Sequence, residues 1–211
     1  MQKFENIESI VIPLDRTNVD TDVIIPKQYL KSVKRSGLGP YLFDDWRYLD
    51  AGDLMLDNAK RRLNADCIFN DPHYKKARIL LTGANFGCGS SREHAVWAMM
   101  DYGLKAVIAG SFADIFYNNA IKNGLLPVVL DTETIATLFR NTTGNPDYTL
   151  TISLTDQTVA DDQSTWHFRI ADFDKHCLLQ GLDQIALTLQ HIDKIRAYET
   201  NRRRTAPWLF K

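Results

Sequence analysis

The sequence has little that would point to a secreted, membrane-bound or nucleic-acid-binding protein. Its 211 residues include only three cysteines, Cys67, Cys88 and Cys177. An odd and widely spaced set argues against a disulfide framework and for a reducing compartment, so we expect a cytoplasmic protein. The formal net charge is −1, which provides no bulk field toward nucleic acid or a membrane surface. No apolar run approaches the roughly 20 residues that a membrane helix needs.

Patterns typical of a metal site are also missing. The chain has no CxxC pair, which argues against a zinc site or an iron–sulfur cluster held by this chain alone. An acidic loop carries Asp15, Asp20 and Asp22, but it lacks the Asp-x-Asp-x-Asp-Gly layout of a calcium loop. We therefore expect no metal on this chain. Two interpretations of the loop stay open: aspartates that make turns with their own backbone, or one aspartate that acts as a catalytic partner.

The remaining pattern is that of an α/β protein. Apolar residues make up 45% of the chain, which is enough for a core. Short apolar strands alternate with segments of helical spacing, an order that favours parallel strand pairing. The predicted strands are 7–14, 77–82, 105–109 and 125–130, and the predicted helices are 95–102, 111–123 (ended by Gly124) and 132–139 (started by Asp131).

Toward the end of the chain the period changes. Residues 149–155 and 164–170 alternate polar and apolar around a turn at 161–163, which predicts an antiparallel hairpin. Two helices follow, about 174–181 and 184–198. The basic tail at about 200–211 is either a solvated terminus or a docking arm for a partner. We predict one domain over residues 1–211, with a mixed sheet, helices on one side and extra β structure on the other.

Between the first two strands the pattern is mostly irregular. Residues 23–26 read as a short extended piece, and residues 41–76 as an aromatic-rich excursion with a short helix at about 53–63. The basic loop at 27–40 contains four cations and two glycines. It is either a clamp for an anionic substrate or a solvated, flexible loop.

The chemistry is concentrated in residues 83–94, where a buried strand turns into a helix. Gly87 and Gly89 would let backbone amides form a cradle around a ligand, and a helix starting near Ser90 would add unsatisfied N–H groups. The run from Ser90 to Glu93 also fits the capping box S-x-x-E, so Ser90 could serve only as a helix cap. A cap does not explain Arg92, because a cation at a helix start opposes the dipole unless an anion shares the site.

The turn does not match the common nucleotide or hydrolase motifs. It lacks the lysine of a P-loop and the glycine spacing of a dinucleotide-binding turn. It also lacks the Gly-x-Ser-x-Gly elbow of a hydrolase. A small carboxylate substrate fits its residues better.

Two segments carry a family resemblance. Residues 87–94, Gly-Cys-Gly-Ser-Ser-Arg-Glu-His, resemble the Gly-x-Gly-Ser-Ser-Arg-Glu-His motif of the aconitase superfamily. Residues 18–26, Asn-Val-Asp-Thr-Asp-Val-Ile-Ile-Pro, resemble a signature of the bacterial isopropylmalate dehydratase small subunits. Residues 29–31 and 110–119 are similar to the same family, and the resemblance covers roughly residues 7–195.

The resemblance implies a swivelling β/β/α three-layer domain, equivalent to the mobile last domain of aconitase. It implies a separate large subunit that carries a [4Fe–4S] cluster, while this chain binds no cofactor itself. The implied reaction is the interconversion of 2-isopropylmalate and 3-isopropylmalate through 2-isopropylmaleate in leucine biosynthesis. The chain would be a hydro-lyase subunit, active only with its partner.

The resemblance also implies roles for individual residues. Ser90 matches the family's catalytic base, and Ser91 and Arg92 match groups that hold a substrate carboxylate. Asp22 matches an aspartate that assists the proton path at the leaving hydroxyl. A free serine is too weak an acid to act as a base at neutral pH, but backbone amides, a helix N-terminus and Arg92 would stabilise its alkoxide.

Substrate choice is expected to depend on residues 30–40, which occupy the place where the family sets it. Arg35 is the candidate for a second carboxylate contact, and Leu30 and Val33 are candidates for contacts to an isopropyl group. Citraconate/2-methylmalate hydratases and homoaconitases use similar small subunits, and one methyl group contributes only about 1–3 kcal/mol in a pocket. These activities stay open as alternatives, as does a non-catalytic anion-binding module.

Overall fold

A seven-stranded mixed sheet forms the centre of the computed structural model, which describes residues 1–210. The strands are β1 Ile7–Leu14, β2 Ile79–Thr82, β3 Ala106–Ala109, β4 Leu126–Val129, β5 Thr149–Ser153, β6 Thr158–Ala160 and β7 Thr165–His167. Their order across the sheet is β4-β3-β2-β1-β5-β6-β7. The first four pair in parallel, and β1 joins them to an antiparallel flank of β5, β6 and β7. The predicted mixed sheet is therefore confirmed.

Helices cover both faces of this sheet. They are α1 Thr21–Ile24, α2 Asp44–Arg47, α3 Glu93–Tyr102, α4 Asp114–Asn123, α5 Thr132–Gly144, α6 Asp172–Gln180, α7 Gln184–Leu189 and α8 Ile192–Thr205. Leu80 of β2 belongs to a core that includes Val96 of α3, whereas its neighbour Leu81 belongs to a second core that includes Leu138 of α5. The prediction of helices on one side only is thus wrong. Every residue of β2 and β3 is buried and, apart from Thr82, apolar, as expected of parallel strands covered on both faces.

Several local predictions need correction. Residues Val23 and Ile24 are not extended, because the Asp20 carboxylate accepts the Val23 N–H at 2.8 Å and caps the short helix α1. The helix predicted at 53–63 is reduced to a single turn, Asn58–Lys60. The predicted hairpin is a three-stranded meander, because β6 pairs with both β5 and β7. The basic tail is largely helical, since α8 continues to Thr205.

The excursion between α2 and β2 is held by a buried ion pair. Arg61 donates to both carboxylate oxygens of Asp44, at 2.6 and 2.8 Å, and its guanidinium lies 3.8 Å from the centre of the Tyr48 ring. The Tyr29 ring stacks on Tyr41 with 4.1 Å between centroids. Burial, followed by the charge of Asp44, raises the pKa of Tyr29 above its ordinary value. This buried cluster supports the start of the basic loop.

Within residues 1–210, no helix combines the length and apolarity needed to cross a lipid bilayer.

Candidate functional site

The glycine-rich turn leaves the carboxyl end of β2 and runs beside the loop that leaves β1. Because β1 and β2 are parallel neighbours, both segments emerge at the same edge of the sheet. The pairing continues past the strands as a loop ladder of four backbone hydrogen bonds, each 2.8 to 2.9 Å long. These are Gly83 N to Arg16 O, Asn18 N to Ala84 O, Gly87 N to Val19 O, and Thr21 N to Cys88 O. The acidic loop and the turn therefore form one unit.

The two glycines predicted to form a cradle have different roles. Gly87 has a φ of +75°, and a Cβ there would lie 2.2 Å from Cγ of the Phe116 ring. Its N–H already donates to Val19, so it does not face a ligand. Gly89, with a φ of +88°, has more room, since a Cβ would meet nothing closer than 3.4 Å. Within residues 1–210 the Gly89 N–H has no backbone acceptor, so the cradle reduces to Gly89.

Ser90 is not a helix cap, contrary to the capping-box interpretation. Helix α3 begins at Glu93, with Arg92 in the cap position. The Ser90 carbonyl accepts a 2.8 Å hydrogen bond from the Thr21 hydroxyl, which holds this backbone against α1. The Glu93 carboxylate accepts from the Asn123 amide at 2.8 Å instead of reaching back to the turn. The side chains of Ser90 and Ser91 are left exposed at the surface of the site.

Arg92 and Asp22 form an ion pair across the site. The Arg92 guanidinium donates to the Asp22 carboxylate, although the two residues are 70 positions apart. The Arg92 side chain is 14% exposed and that of Asp22 is 51% exposed. The guanidinium is thus held at the rim of the turn beside Ser90 and Ser91, with a carboxylate already bound to it.

The predicted substrate contacts on the basic loop do not join this group. Leu30 is half-buried and packs against the core, whereas Val33 is 94% exposed. The Arg35 guanidinium carbon lies 5.3 Å from the centre of the Trp97 ring on α3. The structure brings together Asp22, Ser90, Ser91 and Arg92, and it leaves Arg35 and Val33 on the neighbouring loop.

Two contributors were missed in the sequence. Thr21 lies between two aspartates in the acidic loop, and its hydroxyl binds the Ser90 carbonyl. His94 ends the octapeptide, and its Nε2 lies 3.0 Å from the Ser32 carbonyl of the basic loop. The only available signal was their position inside the two motifs, which gives no partner. Tertiary structure alone supplies the partners.

Chemically, the site offers hydroxyl groups beside a cation and the start of a helix. Such a group can bind a carboxylate and bring a hydroxyl to the carbon next to it. Within residues 1–210, no set of three His, Cys, Asp or Glu side chains is arranged to hold a metal ion.

Comparisons with known proteins place these features in a family. A family model described as the aconitase C-terminal domain matches residues 1–133, and a second, described as the C-terminal domain of the 3-isopropylmalate dehydratase small subunit, matches residues 185–211. The chain is 59% identical to the 3-isopropylmalate dehydratase small subunit of Neisseria gonorrhoeae, over all of this chain and 99% of that protein. It is 57% identical to the protein of the same name from Nitrosomonas eutropha, over the full length of both.

A solved structure agrees with this result. The 3-isopropylmalate dehydratase of Methanocaldococcus jannaschii superposes with a TM-score of 0.61 at 26% sequence identity. The match covers 94% of this chain and 99% of the archaeal one. These similarities confirm the predicted fold class, a mixed α/β domain of the aconitase C-terminal type.

Proposed function

Because the chain belongs to the family of 3-isopropylmalate dehydratase small subunits, we propose that it supplies the serine-bearing half of that enzyme's active site. The chain is a hydro-lyase subunit of leucine biosynthesis. The reaction removes water from 2-isopropylmalate to give 2-isopropylmaleate, and it adds water back in the other orientation to give 3-isopropylmalate. Our proposal rests on one observation: the Ser90–Arg92 turn lies beside Thr21 and Asp22. The loop ladder, the Thr21 hydroxyl and the Arg92–Asp22 ion pair hold the two segments together.

Ser90 acts as the base that removes the proton next to a substrate carboxylate. Its exposed side chain and its release from helix capping support this role. The Gly89 amide, the start of α3 and the Arg92 guanidinium favour the alkoxide over the neutral hydroxyl. In the rehydration half, the same hydroxyl returns the proton to carbon.

Ser91 and Arg92 bind the carboxylate next to the proton that is removed. The Asp22 pair keeps the guanidinium in place before substrate arrives, and a substrate carboxylate would compete with Asp22 for the same N–H groups. The role of Asp22 in the proton path at the leaving hydroxyl stays a prediction. In addition to it, we propose that Asp22 orients Arg92.

Residues 30–40, the substrate loop, contact the substrate's branch. Leu30 and Val33 provide apolar contacts, and the exposure of Val33 leaves it free to meet a ligand or a partner. Arg35 would have to leave the Trp97 ring to bind a second carboxylate. Its role therefore requires a change in the conformation of the Arg35 side chain.

The other half of the site lies on a large subunit. We propose that this partner carries a [4Fe–4S] cluster, which would supply a Lewis acid for the leaving hydroxyl. No nucleic acid or membrane takes part. We also propose a cytoplasmic location, which the three free cysteines of this chain support.

Two other functions remain as competitors. A related hydro-lyase would use the same site on 2-methylmalate or a homoaconitate-type substrate. A non-catalytic module would use the turn to bind a small anion. The 57–59% identity over full-length relatives favours the dehydratase.

The test is reconstitution with the large subunit. The mixture should form the unsaturated diacid from isopropylmalate, followed by ultraviolet absorbance, with lower kcat/KM on the methyl and homoaconitate-type substrates. Ser90→Ala should lower kcat by about 10²–10⁴-fold, the usual contribution of a positioned base. Co-elution with the large subunit on gel filtration should be unchanged.

Ser164→Ala is the matched control, because Ser164 is an exposed serine on the antiparallel flank, away from the site. It should turn over like the unmodified chain. Near-normal turnover by Ser90→Ala would contradict the base assignment. Anion binding by the free chain, with no turnover in any mixture, would favour the module.

A further inference from the structure

The substrate loop lies along one face of helix α3 and touches it at three places. The His94 Nε2 is 3.0 Å from the Ser32 carbonyl, and because a carbonyl can only accept, the ring must donate. The Arg35 guanidinium lies over the Trp97 ring. These two contacts hold the first half of the loop to the first turns of the helix.

The third contact closes the loop. The Gly39 N–H donates to the Asp101 carboxylate at 2.8 Å, and a Cβ on Gly39 would lie 2.8 Å from the Asp101 carbonyl carbon. Gly39 therefore fits directly against the end of α3. No larger residue could take this place without a shift of the backbone.

The spacing of the three contacts is regular. His94, Trp97 and Asp101 are at i, i+3 and i+7, which places them on one face of a helix. Their partners have the same spacing, so that each contact joins residues 62 positions apart. The loop thus runs parallel to α3 and in step with it, over about 10 Å of helix.

The Trp97 ring is itself fixed. Its Nε1 donates to the Asn123 side chain at 2.9 Å, and that amide donates to Glu93 at 2.8 Å. The His94 ring lies 4.7 Å from the Trp97 ring, centre to centre. The first turn of α3 is therefore a rigid platform, and it begins directly after Arg92.

We propose that His94 is a positioning residue, which sets the register of the substrate loop against the Ser90–Arg92 turn and thereby the preference for the substrate's branch. His94 acts through the Ser32 carbonyl and needs no contact with substrate. The Ser32 N–H donates to the Tyr29 carbonyl, and the Ser32 hydroxyl accepts from the Lys34 N–H. Ser32 therefore connects the buried Tyr29 to the exposed part of the substrate loop. The inference rests on the proposed function in taking this loop as the part that contacts the branch.

Two substitutions separate the hydrogen bond from the bulk of the ring. In His94→Gln the side-chain amide nitrogen falls near the position of Nε2, so the donor to Ser32 is retained. In His94→Asn the amide falls near Nδ1 and is too short to reach. Circular dichroism and the melting temperature of each variant report whether the fold is intact.

The first measurement uses the full small subunit without a partner. Trypsin cleavage after Lys31, Lys34 and Arg35 is followed by mass spectrometry, with cleavage in the Arg202–Arg204 run as an internal reference. His94→Asn should speed loop cleavage about five- to tenfold, as expected for the loss of one hydrogen bond that holds a local segment. His94→Gln should stay near the unmodified rate.

The second measurement uses the reconstituted two-subunit enzyme. For His94→Asn, the ratio of kcat/KM on 2-isopropylmalate to that on 2-methylmalate should fall about tenfold, mainly through KM, within the range that pocket contacts allow. His94→Gln should restore the ratio. A purely structural role would instead lower kcat on both substrates alike.

Either measurement can overturn the inference. Unchanged loop cleavage in a folded His94→Asn variant would show that the contact sets no register. Faster cleavage with an unchanged substrate ratio would show that the loop is held by His94 but does not choose the substrate. A reconstituted unmodified enzyme with no turnover on either substrate, despite normal cleavage results, would point to failure of the proposed function.

Discussion

Two segments from the amino-terminal part of the chain pack against the Ser90 turn or the helix that follows it, and different atoms hold each of them in place. The acidic loop is joined to the turn by backbone hydrogen bonds, the loop ladder. The substrate loop is joined to α3 mainly by side chains: His94, Trp97 and Asp101. A backbone ladder tolerates most substitutions, whereas side-chain contacts change with each one. The acidic loop, which carries Asp22, should therefore keep its position when its side chains are exchanged. The position of the substrate loop, which meets the variable part of the substrate, should change with individual side chains.

The largest effect on stability is expected at the buried Asp44–Arg61 ion pair, which supports the start of the substrate loop. Asp44→Ala leaves the Arg61 guanidinium buried without its partner, which should lower the free energy of unfolding by about 3–5 kcal/mol. Urea denaturation of the small subunit measures this change. Asp50→Ala is the control, because it removes an exposed ion pair and one hydrogen bond from the Arg62 N–H, and it should lower the urea midpoint much less. Equal midpoints for the two variants would show that the buried pair does not support the fold.

The second largest effect on stability is expected from a substitution in the turn that the loop ladder joins to the acidic loop. Gly87→Ala combines a positive φ with a clash against Phe116 and should cost about 3 kcal/mol. Gly103→Ala shares the positive φ, of +116°, but has open space around it, so it should cost about 1–2 kcal/mol. Thermal and urea unfolding compare the pair. Equal losses would mean that strain alone, and not the Phe116 contact, fixes Gly87.

A third substitution tests the ion pair that the ladder places at the site. Asp22→Asn removes a charged partner from Arg92 and should lower kcat/KM of the reconstituted enzyme about 10–100-fold, the equivalent of one charge-assisted hydrogen bond. The stability should change by less than about 1 kcal/mol, because the carboxylate is half exposed.

The neighbouring Asp20→Asn variant is the matched control for the Asp22 test. Asparagine caps a helix as well as aspartate does, so α1 is retained while a charge is lost. Its kcat/KM should stay close to that of the unmodified enzyme. Equal losses in both variants would assign the effect to net charge and not to the Arg92 contact.

The smallest effect is expected from Arg35. Arg35→Ala removes an exposed cation–π contact and should destabilise the small subunit by about 0.5–1 kcal/mol. Lys34→Ala, one position earlier and also exposed, should have less effect. If Arg35 also binds a substrate carboxylate, kcat/KM should fall much more than the stability does. A fall in kcat/KM that matches the loss of stability would limit Arg35 to the Trp97 contact.

Much of the fold could be predicted because it follows from short-range patterns. The cap at Asp131, which accepts the Thr134 N–H at 2.9 Å, and the left-handed Gly124 at the end of α4 each depend on a few neighbouring residues. The parallel strands could be predicted from apolar runs alternating with helical spacing. The turn at 83–94 is recognisable in the sequence because glycines, hydroxyls and a cation rarely cluster by chance at a strand end.

The errors occurred where distant residues compete with a local signal. Ser90 to Glu93 satisfies the capping box in sequence, but α3 begins only at Glu93, and the Glu93 carboxylate accepts from Asn123 instead of the Ser90 N–H. The pairing of Arg92 with Asp22 spans 70 positions and leaves no local trace. The contact of Arg35 with Trp97 likewise depends on how the loop folds over α3, and the substrate contact of Arg35 stays a prediction.

The in-step contacts between residues 32–39 and α3 limit how this loop can evolve. A loop held by one contact can gain or lose a residue freely. A loop held by three contacts whose spacing matches that of their partners on a helix cannot. Deletion of a single residue between Ser32 and Gly39 would move at least one partner off the face that carries His94, Trp97 and Asp101. New substrate preferences should therefore arise by exchange of side chains at constant loop length.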